Sequence, residues 1–276
     1  MTAPVLPAVS VIMPVHNAAA FLADTVASVQ AQTLENWELL AVDDGSTDGS
    51  GEILAELSAK DPRIRLLATK GKQGAGKARN CAIDAARGQW LAFLDADDLW
   101  LPEKLTLQLE AMENAGVPFS CTAYIRHDLS NGRKTEVGVP FLARRADLLK
   151  TNTVACSTAV VKRDLVGLHR MSDMPRRQDF LFWTQLLTAT PAVLGLPQPL
   201  MVYRQHPSSL SAPKSRAAAN TWAMYRKALD LPLHLAVWYF GNYALRGTLR
   251  HNFPHIARKI GVLHQVEPPT AKGPAP

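Results

Sequence analysis

The chain has 276 residues, of which 47% are hydrophobic and 20% charged, which excludes a mainly disordered protein and allows a sizeable core. Its formal net charge of +6 favours an anionic partner such as a nucleotide, a phosphate, a nucleic acid or an acidic lipid. The three cysteines are scattered without the spacing of a metal site, which fits a reducing compartment.

The first half of the chain alternates short apolar runs with amphipathic helical patterns. The apolar runs predict strands at residues 9–13, 37–42, 64–68 and 89–94. The patterns between and after them predict helices at residues 18–32, 49–60, 74–86 and 102–114. Strict alternation predicts an α/β fold whose mostly parallel sheet is covered by helices on both faces. Such sheets bind ligands at the carboxyl ends of their strands.

The alternation weakens in the second half. Further strands are predicted at residues 118–126, 155–162 and 200–203, and a further helix at residues 179–188. Helical periods follow at residues 217–229 and 233–250, and the Pro-rich sequence from residue 268 predicts disorder. We therefore divide the chain into a domain of residues 1–210, a helical segment of residues 211–264 and a disordered tail of residues 265–276.

Targeting signals are not evident in the sequence. Residues 1–7 have no basic region and no apolar core, so we expect no signal peptide. No window approaches the roughly 20 apolar residues that a membrane-spanning helix needs. We therefore expect a cytoplasmic protein.

Three carboxylates, those of Asp95, Asp97 and Asp98, directly follow the strand predicted at residues 89–94. Negative charges at the tip of a buried strand repel one another and are costly to desolvate, unless a cation lies among them. Hard divalent ions prefer carboxylate oxygens and keep positions open for water and phosphate oxygens, which predicts a site for a metal ion and a diphosphate. The alternative is an Asp-rich turn in which one carboxylate caps the next helix.

Two further polar loops end predicted strands at the same edge of the sheet. Residues 14–17 follow the first strand and residues 43–48 follow the second. The three loops together are more specific than any one of them and predict a single site at this edge.

The segment 71–78 nearly matches a P-loop, but Ala78 stands where a Ser or Thr would bind Mg²⁺. A P-loop NTPase is therefore the disfavoured alternative, and a Gly-rich turn that opens a helix is the simpler interpretation. Lys77 and Arg79 could still face a phosphate from that turn.

These motifs resemble those of the family 2 nucleotide-sugar glycosyltransferases, which have the GT-A fold. The resemblance covers residues 8–210. Its matching segments, in the family's order, are residues 9–17, 42–48, 76–80, 91–98, 178–179 and 203–206. The resemblance implies a Rossmann-like GT-A domain with a helical extension. It also implies inverting transfer of a sugar from a nucleoside diphosphate, UDP above all, to a hydroxyl of a glycan or lipid-linked glycan, with Mg²⁺ or Mn²⁺ as cofactor.

The resemblance also implies roles for the residues of the three loops. Asp44, with the backbone of Pro14 beside it, would contact the nucleotide base. Asp95 would contact the ribose or the metal, and Asp97 would bind the metal that bridges the diphosphate. Asp98 would support the loop or cap a helix.

Asp179 matches the family's general base, although Gln178 replaces the Glu that usually precedes it. The alternative is that Asp179 only caps the predicted helix. Arg79 would approach the nucleotide, or else form an ion pair that supports the fold. Arg204 and His206 would lie near the diphosphate and the metal, and a purely structural role is the alternative for His206.

The segment 214–264 interleaves aromatic residues with cations and has Asp230 as its only acid. Its aromatic residues are Trp222, Tyr225, Trp238, Tyr239, Phe240, Tyr243 and Phe253. Its cations include Arg226, Lys227, Arg246, Arg250, Arg258 and Lys259. This pattern predicts contact with an anionic membrane surface, on the inner face of the cell membrane. Packing on the catalytic domain is the alternative, and we expect no nucleic-acid binding.

The overall interpretation is a glycosyltransferase similar to those that build bacterial surface polysaccharides. A rival from another class is a catalytically silent protein that binds a nucleotide sugar or scaffolds other enzymes. Its support is the Gln178 substitution beside Asp179.

Overall fold

The computed structural model describes residues 6–174, 176–207 and 214–267. Its first half contains the predicted strands as β1 (Val9–Val15), β2 (Trp37–Asp43), β3 (Ile64–Ala68) and β4 (Trp90–Phe93). The helices that follow the first three strands are α1 (Ala19–Gln30), α2 (Ser50–Lys60) and α3 (Ala75–Ala85). The four strands are parallel in the order β3-β2-β1-β4, with Val9 opposite both Trp37 and Trp90. The predicted alternation is therefore confirmed, and all four strands present their carboxyl ends at one edge.

The second half extends the same sheet. Its strands are β5 (Leu99–Trp100), β6 (Phe119–Asp128), β7 (Lys134–Val137), β8 (Leu142–Ala143), β9 (Val160–Lys162) and β10 (Val193–Gln205). Its helices are α4 (Lys104–Ala115), α5 (Arg145–Lys150), α6 (Arg163–Val166) and α7 (Gln178–Leu186). The sheet order is β3-β2-β1-β4-β9-β6-β10-β5, in which β9 runs antiparallel to β4 and β6, while β6 and β10 pair in parallel.

Two of the predicted strands need correction. The strand expected at residues 155–162 is a 3₁₀ turn, Cys156–Thr158, followed by the short β9. The strand expected at residues 200–203 is the central part of β10, which is much longer. Elements such as β7, β8 and α5 have too few residues to give a readable period and were not predicted.

The core lies on both faces of the sheet, because successive side chains of each buried strand point in opposite directions. Ile12 of β1 belongs to the layer that contains Phe93 and Trp183, whose rings are 5.1 Å apart. Val11, its neighbour, belongs to the other layer with Val26. Burial of each such side chain contributes about 1.5–3 kcal/mol to folding. The loops at the carboxyl edge therefore follow strands that are buried on both faces.

The segment after residue 213 forms α8 (Lys214–Ala223), a π-helical turn (Met224–Ala228), α9 (Leu233–Asn252) and α10 (Pro254–Lys259). The helix predicted at 217–229 is thus interrupted, whereas that predicted at 233–250 is confirmed. Within the described ranges, no helix combines the length and hydropathy needed to cross a bilayer. From residue 268 onward, the predicted tail lies outside the residues that the structure describes.

Candidate active site

The acidic loop follows β4 at the carboxyl edge of the sheet. The side chains of Asp95 and Asp97 are 32% and 28% exposed, whereas Asp98 is 1% exposed. Asp98 accepts hydrogen bonds from Ser157 Oγ (2.5 Å) and from the backbone N–H of Arg204 (3.2 Å). Burial and the charges of Asp97 and Asp95 raise the pKa of Asp98 well above its ordinary value. Two carboxylates of the loop therefore face outward, and the third supports it.

His206 lies beside the acidic loop, with its Nε2 atom 3.0 Å from Asp97 Oδ2. Burial raises the pKa of Asp97, as does the charge of Asp95, while the hydrogen bond with His206 opposes them. A cation would relieve this unfavourable ionisation.

This pair fits a divalent ion. A carboxylate oxygen and an imidazole nitrogen are donor types that suit Mg²⁺ or Mn²⁺, so Asp97 and His206, now 3.0 Å apart in a hydrogen bond, would be able to hold such an ion between them. Among the described residues, no three His, Cys, Asp or Glu side chains form a metal-binding group. Water and phosphate oxygens would have to supply the remaining ligands.

Arg79 on α3 pairs its guanidinium with Asp95 Oδ1 and is 5% exposed. Burial would lower the pKa of Arg79, but the charge of Asp95 and that of Asp179 contribute to raising it above its ordinary value. Its Nε atom is buried without a hydrogen-bond partner in the described part of the chain. The ion pair that the sequence left as an alternative is therefore present, and it leaves one N–H of Arg79 unsatisfied.

Asp179 lies in the first turn of α7 and is partly buried. Burial raises the pKa of this carboxyl, while the charge of Arg79 partly offsets that effect. The residue at the N-cap position of α7 is Arg177, so Asp179 is not the N-cap residue. The structure thus brings Asp179, Arg79 and Asp95 into one electrostatic neighbourhood.

The first turns of α3 and α7 are joined by Gln178. With its amide oriented to satisfy both atoms, the oxygen accepts from Gly76 N (3.2 Å) and the nitrogen donates to Met174 O (2.7 Å). A Cβ atom at Gly76 would lie 2.7 Å from the carbonyl oxygen of Ser172, so the close approach requires glycine. Asn80 adds two hydrogen bonds of 2.8 Å to the backbone of Met171. Residues 76–80 therefore hold, through these hydrogen bonds, two positions that shortly precede Asp179 in the sequence, Met171 and Gln178.

Asp44, which follows β2, anchors the Gly-rich turn. It is 2% exposed and accepts hydrogen bonds from Thr69 Oγ1 (2.7 Å), Gln73 N (2.8 Å) and Gly74 N (2.7 Å). Two backbone amides of this turn, which a P-loop would offer to a phosphate, thus donate to Asp44 instead. Pro14 is buried nearby in β1, opposite Val42.

Arg204 turns its buried guanidinium toward α1. Its Nε donates to the carbonyl oxygen of Asp97, and its Nη2 donates to Phe21 O (3.2 Å) and Thr25 Oγ1 (2.8 Å). Its Nη1 is 3.3 Å from Asp24 Oδ2. These bonds fix the acidic loop against α1, and contact of Arg204 with a donor stays a prediction.

Ser157 is a site residue that the sequence did not reveal. Its Oγ accepts from Asp95 N (3.1 Å) and donates to Asp98, so one hydroxyl joins both ends of the acidic loop. The indole N–H of Trp100 donates to Ser157 O (2.8 Å). A lone serine some 60 positions from the loop carries no sequence signal, and only the pairing of β9 with β4 brings it there.

Solved structures define the class of fold. TarS of S. aureus in complex with UDP-GlcNAc superposes with a TM-score of 0.66 at 18% identity, over 90% of this chain and 74% of that chain. The mannosyltransferase PcManGT of Pyrobaculum calidifontis, in complex with GDP-Man and Mn²⁺, gives a TM-score of 0.66 at 20% identity, over 93% and 79%. The chain therefore has the GT-A glycosyltransferase fold that its motifs predict.

Sequence comparisons then identify the family. The family model described as "Glycosyl transferase family 2" matches residues 10–170. TuaG of Bacillus subtilis (strain 168), a glycosyltransferase named for a proposed role in teichuronic acid biosynthesis, is 37% identical over 86% of this chain and 95% of its own length. WfgD of Escherichia coli, named a UDP-Glc:alpha-D-GlcNAc-diphosphoundecaprenol beta-1,3-glucosyltransferase, is 31% identical over 90% and 96%. The chain belongs to glycosyl transferase family 2 and is a glycosyltransferase.

Proposed function

We propose that the chain is an inverting, metal-dependent glycosyltransferase that moves a sugar from a UDP-sugar to a hydroxyl of a glycan or lipid-linked glycan. The observation that carries this proposal is the meeting of Asp95, Asp97 and His206 with Arg79 and Asp179 at one edge of the sheet. The names of WfgD and of the TarS complex support a UDP-linked donor, and that of WfgD supports a lipid-linked acceptor.

The donor side of the site comprises Asp44, Pro14, Arg79 and Arg204. Asp44, whose carboxylate holds the Gly-rich turn through Gln73 N and Gly74 N, and the backbone of Pro14 would lie beside the base. Arg79 Nε is buried without a hydrogen-bond partner among the described residues, and Arg79 would approach a ribose or phosphate oxygen of the donor from its place beside Asp95. Arg204 acts on the donor through Asp97, whose backbone it holds.

Mg²⁺ or Mn²⁺ would be held by Asp97 and His206, with Asp95 beside them. When bound, the ion supplies Lewis-acid stabilisation to the departing diphosphate. Arg204 donates to the carbonyl oxygen of Asp97 and, from its backbone, to the carboxylate of Asp98, and these bonds would keep the Asp97 side chain in place. The carboxylates and imidazole are a donor set that suits Mn²⁺ and Mg²⁺ better than a soft ion.

Asp179 would act as the general base toward the acceptor hydroxyl. Its raised pKa makes it a better proton acceptor than an ordinary aspartate, while the nearby Arg79 keeps it able to ionise. A base of this kind contributes about 10² to 10⁴ to the rate. Attack by the acceptor hydroxyl on the face of the sugar away from the departing diphosphate, with its proton passing to Asp179, would give inversion at the anomeric carbon.

A thermal-shift screen tests the donor and the metal together. Because a ligand that binds the folded state raises the melting temperature by mass action, UDP-glucose, UDP-GlcNAc and GDP-mannose are compared with and without Mn²⁺. We expect a Mn²⁺-dependent shift with a UDP-sugar, its loss in D97N and its retention in D84N, which alters an exposed carboxylate that pairs with Arg170. Equal shifts with and without Mn²⁺ would contradict the metal site.

The rival hypothesis, a silent protein that only binds the nucleotide sugar, predicts a different result. Such a protein would show the Mn²⁺-dependent shift but release no UDP with any lipid-linked or free glycan acceptor. Under our proposal, UDP release requires an acceptor and falls by about 10² or more in D179N, while UDP binding survives.

We further propose that α9 and α10 contact an anionic membrane surface. The inner side of this segment packs on the domain, since Tyr225 and Ala236 are fully buried, as the core-packing alternative requires. Eight of the fourteen exposed large apolar side chains in the described ranges lie between residues 233 and 260, on its outer side. They are Leu233, Leu235, Val237, Trp238, Leu245, Phe253, Ile256 and Ile260.

Charge favours a lipid partner for this outer side. Arg258 and Lys259 are exposed on α10, and no acid lies between Asp230 and Glu267. Flotation with vesicles containing anionic phosphatidylglycerol tests the surface. We expect binding that falls when Trp238 and Phe253 are changed to Ser, and that persists in L168S, which alters a 96% exposed leucine elsewhere. Equal flotation of the wild type, of the variant with both Trp238 and Phe253 changed to Ser, and of L168S would argue against this surface.

A further inference from the structure

Arg177, at the start of α7, has a left-handed backbone with φ of 67° and ψ of 12°. This conformation costs a non-glycine residue about 1–2 kcal/mol and persists only where the surroundings hold it. The carbonyl oxygen of Arg177 accepts from Leu181 N (2.9 Å), so its backbone direction sets the first turn of α7. That turn carries Asp179.

The Arg177 side chain is held by Tyr243 of α9. Arg177 Nη2 donates to the Tyr243 hydroxyl (2.7 Å), and the guanidinium carbon is 5.6 Å from the ring centroid. The latter lies within the range of a cation–π contact. A residue from the carboxyl-terminal segment thus reaches the position two residues before Asp179.

The helix that carries Tyr243 is itself anchored on both sides of that contact. Ala236 is fully buried, and Arg250 Nη2 donates to Thr151 Oγ1 (2.7 Å). Residues 236, 243 and 250 are spaced by seven, so they lie on one face of α9. Tyr243 is therefore presented to Arg177 from a fixed surface and not from a free helix.

The charge of Arg177 also reaches the base. It lowers the pKa of Asp179, against the larger effect of burial, which raises it. On the other side of the peptide, Gln178 ties the same turn to α3 through Gly76. Two contacts therefore hold the turn that carries Asp179. One joins it to α3, which packs on the sheet, and the other joins it to α9.

We propose that Tyr243 is a positioning residue for glycosyl transfer, which holds Arg177 and thereby sets the place of Asp179. The inference rests on the base role proposed for Asp179. It makes α9 a part of the catalytic apparatus, in addition to any contact that its outer side makes with lipid.

Y243F tests this inference because it keeps the ring and removes the hydroxyl that accepts from Arg177. We expect kcat for UDP release to fall by about 10-fold through misplacement of the base, with the KM for the UDP-sugar unchanged. Y239F, on the same helix, is the matched control and is expected to keep wild-type turnover. R177K keeps one donor for the Tyr243 hydroxyl and is expected to retain more activity than R177A.

R177G separates the side chain from the backbone strain. Glycine adopts a left-handed conformation freely, so this variant keeps the start of α7 but loses the contact with Tyr243. We expect R177G to be as slow as Y243F while unfolding no more easily than R177A. Amide exchange gives a readout without turnover: the amide of Leu181, which donates to Arg177 O, should exchange faster in Y243F than in Y239F.

The possible outcomes distinguish this inference from the proposed function. Wild-type kcat and exchange in Y243F, or equal losses in Y239F, would overturn the positioning role. A rise in KM that accounts for the whole loss would also overturn it. If D179N keeps wild-type turnover, the proposed base is wrong whatever Y243F does. If D179N is slow and Y243F is normal, only the role of Tyr243 fails.

Discussion

The side-chain amide of Gln178 joins two segments of the active site, because it accepts from Gly76 N (3.2 Å) and donates to Met174 O (2.7 Å). An ionised glutamate can accept but not donate, so it could satisfy only the first of these partners. The glutamine that departs from the family pattern is therefore matched to the backbone around it. Its presence does not by itself indicate a silent enzyme.

We predict that Q178E weakens both the fold and the activity. The second carboxylate oxygen would face the carbonyl of Met174, which should lower the free energy of unfolding by about 1–3 kcal/mol in urea denaturation. The added charge beside Asp179 raises the pKa of the base, so kcat should fall first at low pH. Q185E, a change later in α7, is the control. Turnover in Q178E together with none in the wild type would instead favour a silent wild-type protein.

The metal should bind at the acidic loop, and its removal should be reversible. EDTA is expected to abolish UDP release, and Mn²⁺ to restore it. H206A removes one of the candidate ligands and should raise the Mn²⁺ concentration for half-maximal activity by about 10–100-fold, as loss of a metal contact commonly does. H264A, in the carboxyl-terminal segment, is the control. Full activity in EDTA would contradict a metal-assisted leaving group.

The sheet and its acidic loop could be predicted from the sequence because their signals are local. A buried strand reads as an apolar run, and Asp95 and Asp97 follow it directly. The same holds for α9, whose period is clear. The carboxyl edge then follows from strand direction alone.

The supports of the site could not be predicted, because they are contacts between distant segments. Ser157 reaches the acidic loop only after β9 inserts antiparallel between β4 and β6. The motif predicts Arg204 near the diphosphate, but it gives no sign that the guanidinium bonds to α1 and to the backbone of Asp97. Tyr243 looked like part of a surface aromatic pattern, and its inner position depends on how α9 docks.

Ser157 gives a prediction about loop order. S157A removes a buried donor to Asp98 and the partly buried acceptor for Asp95 N, and should lower the free energy of unfolding by about 1–3 kcal/mol. Because the acidic loop loosens, half-maximal activity should require more Mn²⁺, while the acceptor KM stays unchanged. S157T retains a hydroxyl and should recover part of the loss. An unchanged Mn²⁺ requirement in S157A would show that the loop holds its shape without this bond.

Lys104, at the start of α4, predicts a dependence of stability on pH. It is fully buried, with Nζ 2.6 Å from Gln108 Oε1 and 4.4 Å from the centroid of the Trp100 ring. Burial lowers the pKa of Lys104 from 10.5 to about 7. Between these values the unfolded chain binds a proton that the folded chain does not, so the free energy of unfolding rises with pH.

The slope attributable to Lys104 is at most about 1.36 kcal/mol per pH unit, and urea denaturation from about pH 7 to about pH 8.5 measures it. Higher pH is avoided because burial raises the pKa of Cys121 to about 12, which makes stability fall once the unfolded thiol ionises. K104M should flatten the rise, since methionine fills a similar volume without titrating. K60M, at the exposed end of α2, should leave it unchanged. An equal slope in K104M and K60M would mean that Lys104 stays protonated inside the folded protein.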